Sequence, residues 1–437
     1  MRGVLAVLFV TACAAVCAVE AADAPKPTGP PARMLCVDPK AGDDGNPGTS
    51  ARPLKTLDKA LQTTAGGEVI LLRSGRYPAV TINKVYPRTV TLRAEANHKP
   101  VLESVHVDKA ARIALEGLTF FVPDARSDRH VYVRVNHSEH VAIRDVAIVG
   151  EINDDWKAKK SVAIGIGDSN HVSVVGGTIH HVQFGVTCSR CRDLRVAGMN
   201  VGPFREDGIR FKNCVGVVCE DNHVHHSNKT LKEHCDGIQM IYWSHDVVLR
   251  NNHIHDVNQG IGAFAASKQK RRNWRVEGNL IYNQKNPNTL SIFDADAPVI
   301  IHNTLPQAGP RIKGCTGAVV MNNIFAFPGS AADPNQVKRE DYNLFVSAER
   351  TRQKPKGAHD LLGVDPRFVD ANGFDFRLRP DSPAIDAAAG EFGRRKDLAG
   401  NAPYDHKPAP NRGAGKPPYL DLGALEYVPR PTSKPDN

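Results

Sequence analysis

Two aspartates that each precede a glycine, Asp207 in Asp207-Gly208 and Asp236 in Asp236-Gly237, are the groups of this sequence best suited to moving a proton. Brought close together, two carboxylates repel, and one must hold its proton at higher pH unless a cation neutralises the pair. That is the raw material for an acid/base pair, or for a Ca²⁺ site shared with Glu206. Arg210 and Lys212 follow Asp207 closely and supply either a base or a partner for an anionic substrate. Around these catalytic candidates stand Glu206, His234, Gln239, Phe264, Arg311 and Lys313 as candidate substrate contacts.

A repeat has to bring these residues together. Apolar residues five apart recur as Leu115/Phe120, Ile143/Ile148, Val174/Ile179, Val196/Val201, Cys219/Val224, Leu249/Ile254, Val276/Ile281, Ile300/Leu305 and Val320/Phe325. Units of this size are too short for a strand–helix–strand crossover and carry a strand pattern. Between the pair members stand Asn222, Asn252, Asn279, Asn303 and Asn323 in the later units. Asparagine tolerates the left-handed conformation and so suits a tight bend, and stacked amides can form a ladder. A third strand precedes each unit, among them 208–212, 237–242, 260–265 and 289–293. Three strands per turn with variable loops predict an all-β fold, a right-handed parallel β-helix of about ten coils. Thr56 to Leu61 has helical spacing and is expected to form a short helix capping the first coil.

Equivalent residues on successive coils lie roughly 4.8 Å apart, so alignment turns sequence into rows. Asp207 and Asp236 share one row on adjacent coils. Alternation sends Ile209, Phe211, Ile238 and Met240 inward, and Arg210, Lys212, Gln239, Phe264, Ser291, Phe293, Arg311 and Lys313 outward. Carboxylates at the strip's edge, then cations and rings, suit a sugar polymer. Cations pair with uronate or sulfate, and rings stack on pyranose faces. Loops 227–233 and 267–272, with Lys229, Lys232, Lys268, Lys270, Arg271 and Arg272, are expected to wall a positive groove.

The stretches Asp43-Asp44-Gly45-Asn46-Pro47-Gly48-Thr49 and Gly66-Gly67-Glu68-Val69-Ile70-Leu71-Leu72 resemble the N-terminal part of the pectate-lyase-like β-helix superfamily. Asp365-Pro366-Arg367-Phe368, Ser382-Pro383-Ala384-Ile385-Asp386 and Asp421-Leu422-Gly423-Ala424 resemble its C-terminal tail. The resemblance implies the fold and a polysaccharide partner, while the reaction stays open, because one fold hosts many functions. A second resemblance, to polygalacturonases, rests on Arg205-Glu206-Asp207-Gly208, Cys235-Asp236-Gly237, Gly260-Ile261-Gly262 and Arg311-Ile312-Lys313 in that order. It implies Asp207 and Asp236 as acid and base, with Arg311 and Lys313 holding a substrate carboxylate. Ile261 stands where those enzymes place a catalytic histidine, and Cys235 where they place the first of two aspartates. Inverting hydrolysis also needs carboxyls roughly 6.5–9.5 Å apart, wider than one coil step. A lyase, with Lys212 or Arg210 as base and Ca²⁺ on Glu206, Asp207 and Asp236, is the alternative. A non-catalytic carbohydrate-binding or adhesion protein, and a purely structural envelope protein, are the competing readings.

The remaining features bound the setting. Met1-Arg2, an apolar run from Val4 to Val19, and Ala21-Ala22 have the layout of a secretory signal over 1–22. Cys13 offers a lipoprotein alternative. A Pro-rich linker over 23–33, one domain over 34–430 and a tail over 431–437 follow. The expected location is therefore secreted, periplasmic or cell-surface. No stretch reaches the ~20 apolar residues of a membrane span. A net charge of +9 fits an acidic polymer, and no nucleic-acid-binding motif is present. A monomer is expected. Nine cysteines less Cys13 and Cys17 leave seven, with Cys191 and Cys214 expected to stack as a disulfide or as buried thiols. His180, His225 and His255 form another row, with His181, His226 and Asp256 beside it. Zn²⁺ is one reading of that row, and a structural role, away from the groove, the favoured one.

Overall fold

A computed structural model describes residues 33–122, 130–150, 161–228, 235–264, 269–286, 289–331, 336–347 and 357–429. The expected signal, the terminal tail, His234, Lys229, Lys232, Glu233 and Lys268 lie outside the described residues, as does most of the linker.

The repeat winds as the sequence implies. Leu115, Ile143, Val174, Val196, Cys219, Leu249, Val276, Ile300 and Val320 are consecutive partners in parallel pairings. Every member of the nine apolar pairs is at most 3 % exposed. Each such side chain contributes about 1.5–3 kcal/mol by leaving water, so every coil brings its own share of one continuous core. The first two strands of each coil build a bent sheet of two faces. The third strand builds a separate sheet of eleven parallel strands among the described residues, from Val80–Ile82 to Ser330–Ala331. The chain is thus a right-handed parallel β-helix, the hand that parallel crossovers adopt.

The asparagines ladder across the bend. Asn222 donates from Nδ2 to Asn252 Oδ1 at 2.9 Å, and the pattern repeats through Asn279, Asn303, Asn323 and Asn343. It ends where Asn343 donates to Asp360 Oδ1. One expectation is corrected. The left-handed conformation falls on the residue before each ladder position, at Asp221, Asn251, Gly278, His302, Asn322 and Tyr342. The asparagine's amide is thereby left free to bond along the stack.

The ends are closed. The helix Leu57–Thr63 begins at Thr56, whose hydroxyl accepts the Lys59 N–H at 3.2 Å, and it buries Leu57, Ala60 and Leu61. At the far end, the antiparallel pair Phe368–Asp370 and Asp375–Leu378 and the segment through Leu422 fold back on the coils. There Ile301, Met321, Ile324, Leu378, Ile385, Leu420 and Leu422 share one apolar cluster. All seven cysteines from Cys36 to Cys315 are buried free thiols, so Cys191 and Cys214 stack as thiols and not as a disulfide. No helix among the described residues is long and apolar enough to cross a membrane.

Candidate active site on the third face

The Asp-Gly pairs owe their place to a bend in the third strand. A Cβ on Gly208 would meet Val224 Cγ1 at 2.5 Å, and one on Gly237 would meet Ile254 Cγ2 at 2.5 Å. Only glycine fits against the neighbouring face there, and the residue before it turns toward the outer side of the sheet. Ile209 and Ile238 are register partners, which puts Asp207 and Asp236 at one position on adjacent coils. The Asp236 N–H donates to Asp207 Oδ1 at 3.2 Å.

Both aspartates are more deeply set than the exposed edge expected from alternation. Asp207 is 3 % exposed and Asp236 is fully buried. The cause is what lies over them. Arg210 reaches back to Asp207 Oδ2 at 3.4 Å while its guanidinium lies 3.9 Å from the centroid of the Phe184 ring. Gln239 Nε2 donates to Asp236 Oδ2 at 2.7 Å. Gly262, on the next coil, gives the Asp236 carboxylate its floor. A Cβ there would stand 2.8 Å and 2.9 Å from the carboxylate oxygens and 2.5 Å from Phe264 Cε2. Among the described residues, Asp236 Oδ1 is buried without a hydrogen-bond partner. So is the hydroxyl of Ser291, whose Cα pairs with that of Gly262 on the following coil.

Burial shapes the titration of the pair. Asp207 is pushed up to about 7, chiefly by desolvation and opposed mainly by the Arg210 charge. Asp236 is held well above the usual carboxylate range by desolvation and by the charge of Asp207, with the Gln239 bond acting the other way. Near neutral pH the pair therefore holds a proton and is poised to exchange it.

Glu206 lies beside this centre and accepts a hydrogen bond from Gln183 Nε2 at 2.5 Å. Lys212 lies further along the strand, its Nζ 5.1 Å from the Tyr242 ring centroid. Phe264 and Phe293 meet edge to face with centroids 5.5 Å apart. Arg311 and Lys313 stand 5.2 Å and 5.7 Å from the centre of the Phe293 ring. Nine of the ten candidate residues thus lie along one strip of the third face, and the tenth, His234, is outside the described residues.

The sequence names Gly262 only within the Gly260-Ile261-Gly262 motif and Ser291 only as an outward residue, and assigns neither to the carboxylate centre. A glycine inside a strand marks a close approach and could have flagged the floor. Alternation sets Ser291 on the outer face, and its full burial is not legible in the sequence. The expected wall of loop cations needs one correction. Arg271 is fully buried, not solvent-facing. It opens the strand Arg271–Glu277, and its guanidinium donates to the carbonyls of Ala263, Phe264 and Phe293. Desolvation lowers it to about 10. It fastens the backbone that carries the two aromatic rings.

Coil geometry and strip define a right-handed parallel β-helix protein with a carboxylate pair on one face. The chain belongs to the family described as "Protein of unknown function (DUF1565)", whose model matches residues 40–297. A relative, "Uncharacterized protein YwoF" of Bacillus subtilis (strain 168), is 24 % identical over 436 residues, covering 80 % of this chain and 92 % of its own. Among solved structures, XylC in complex with xylose superposes with a TM-score of 0.52 at 10 % identity, over 90 % of this chain and 98 % of that one. Pectate lyase Pel9A gives 0.43 at 15 % identity, over 91 % and 96 %. The XylC likeness shows the fold.

Proposed function

We propose that this protein is carbohydrate-active and cleaves an acidic, uronate-containing polysaccharide on the third face of its β-helix. The observation that carries the reading is the Asp207/Asp236 pair: two carboxylates one coil apart, both raised, with Arg210 in contact with Asp207. The sugar-binding or sugar-cleaving character named for XylC and Pel9A agrees with it.

The pair suits β-elimination better than inverting hydrolysis. A water cannot be placed between carboxyls one coil apart, since that mechanism needs roughly 6.5–9.5 Å. An incoming uronate carboxylate competes with Asp207 for Arg210, and bidentate pairing favours the substrate. Asp207 then accepts the C5 proton, a C4–C5 double bond forms, the C4–O bond breaks, and the leaving oxygen takes the proton of Asp236. Lys212 and Arg311 lie along the strip for further anionic groups, and Phe264 and Phe293 offer faces to the pyranose rings. In this scheme Arg210 neutralises the substrate. A Ca²⁺ ion on Glu206, Asp207 and Asp236 would have to replace it, which makes chelator sensitivity an informative measurement. Secretion and a monomeric state complete the proposal.

The depth of the pair favours one second reading. Because Asp207 and Asp236 are almost without exposure, the same strip would serve a carbohydrate-binding protein that leaves them as structural groups. The test is a panel of acidic and neutral polysaccharides, with Ca²⁺ and with chelator, followed by ultraviolet absorbance of unsaturated uronate and by reducing-end release. Absorbance supports elimination, reducing ends alone support hydrolysis, and binding without either supports the second reading.

A further inference from the structure

A different face of the β-helix carries a cluster of imidazoles that the proposed cleavage does not use. The strands His223–His225 and His253–His255 are adjacent and parallel, with His223 paired to His253 and His225 to His255. Val224 and Ile254 fill the core between them, so all four rings project from the outer side. His223 stacks on His253 with centroids 4.8 Å apart, and His225 on His255 at 5.5 Å. An ordinary β-sheet does not need four imidazoles in one square.

The nitrogens converge as well as the rings. One ligand atom each from His223, His253 and His255 falls within 4.8 Å of the others. His223 Nε2 and His255 Nε2 are 2.7 Å apart. His255 Nδ1 stands 2.7 Å from Asp256 Oδ2, and Asn283 Nδ2 donates to the other oxygen of that carboxylate at 2.5 Å. A carboxylate at Nδ1 fixes the tautomer, placing the proton there and the lone pair on Nε2, directed at His223. This is the arrangement by which a second residue orients a metal-ligating histidine. The Zn–N distance of ~2.05 Å sets tetrahedral nitrogens about 3.3 Å apart, so a small side-chain rotation admits the ion. The three histidines are partly exposed, leaving an entrance and a fourth position for water.

We infer that His223, His253 and His255 bind one divalent transition-metal ion of the imidazole-preferring class, such as Zn²⁺, with Asp256 as the residue that positions His255. Hard oxygen-seeking ions are not expected to bind there, because the ligands are nitrogens. The site is independent of the carboxylate pair and stands whether or not the protein cleaves a polysaccharide.

The direct test uses the full chain without a histidine tag, stripped with chelator, titrated with ZnCl₂ by calorimetry and then desalted for metal analysis. The expected result is close to one Zn²⁺ per chain and a higher melting temperature with metal. His255→Ala and His223→Ala should each weaken binding at least tenfold, and Asp256→Asn roughly 10–100-fold. His180→Ala, on an earlier coil, should bind as the parent does. Far-UV circular dichroism of each metal-free variant separates lost ligands from lost fold, and Asp256→Asn keeps the test open if an alanine variant fails to fold. Failure of the parent to retain zinc after desalting, or equal zinc affinity in parent and a folded His255→Ala, would overturn the proposal.

Discussion

At Asp207 and Asp236, the proton balance follows from burial more than from residue type. A carboxylate whose folded value is raised is favoured when neutral, so its contribution to stability is intact below the unfolded value near 3.9. That contribution is lost as pH rises through the folded value, about 7 for Asp207. Asp207→Asn removes the ionisation. Its melting temperature should fall less between pH 5 and pH 8 than the parent's, a comparison made by scanning calorimetry. An equal slope in both proteins would count against the buried, raised carboxylate. Arg271 presents the opposite case, a buried cation that bonds three carbonyls. Arg271→Ala leaves those carbonyls without their donor and should cost about 2–4 kcal/mol in chemical denaturation. A cost near zero would show that the strip's backbone does not depend on it.

Among the elements, the asparagine ladder and the third strand were legible in different degrees. The ladder could be read because Asn222, Asn252, Asn279, Asn303 and Asn323 recur in phase with the apolar pairs. Its continuation to Asn343 and Asp360 could not, because Glu340 stands where the next apolar pair would begin, although the step from Asn323 to Asn343 repeats that from Asn303 to Asn323. Each ladder amide bonds along the stack and to a backbone carbonyl, as Asn279 does to Leu249 O at 2.9 Å. Asn279→Ala should therefore cost about 1–3 kcal/mol by urea unfolding. Asn252→Ala combined with Asn279→Ala should depart from the sum, since the two side chains share a bond. Strict additivity would argue against a cooperative ladder. In the third strand, alternation placed Arg210, Lys212, Gln239 and Phe264 on the outer face. It missed the bend at the Asp-Gly pairs, where the glycine and the isoleucine after it both face the core and the aspartate turns outward. That bend sets Asp207 and Asp236 beneath Arg210 and Gln239, whose cover buries them and so sets their chemistry. Arg271 misled for a related reason. A run of cations reads as a solvated loop, whereas the strand pairing of Arg271 with Ala295 turns the side chain inward.

Across the whole molecule, a solenoid has two open ends and long exposed faces, and this chain protects both. The capping helix covers the first coil, and the C-terminal segment lies over Ile301, Met321 and Ile324. Ending the chain at residue 364 should expose that apolar patch and promote association. Light scattering coupled to size exclusion would show larger species, and a well-behaved monomer would mean the segment is dispensable. The class of fold was readable from period and phase alone. Function was less so, because the strip that suits a polysaccharide and the imidazole square on another face are both products of stacking, which sets residues from distant coils side by side. The Asp236→Asn variant decides whether Asp207 and Asp236 form a proton-sharing catalytic pair. It should bind a uronate polysaccharide that the parent cleaves, with affinity within a few-fold of the parent, while turnover falls about 10²–10⁴-fold. Unchanged turnover in a folded Asp236→Asn protein would exclude that role for the pair.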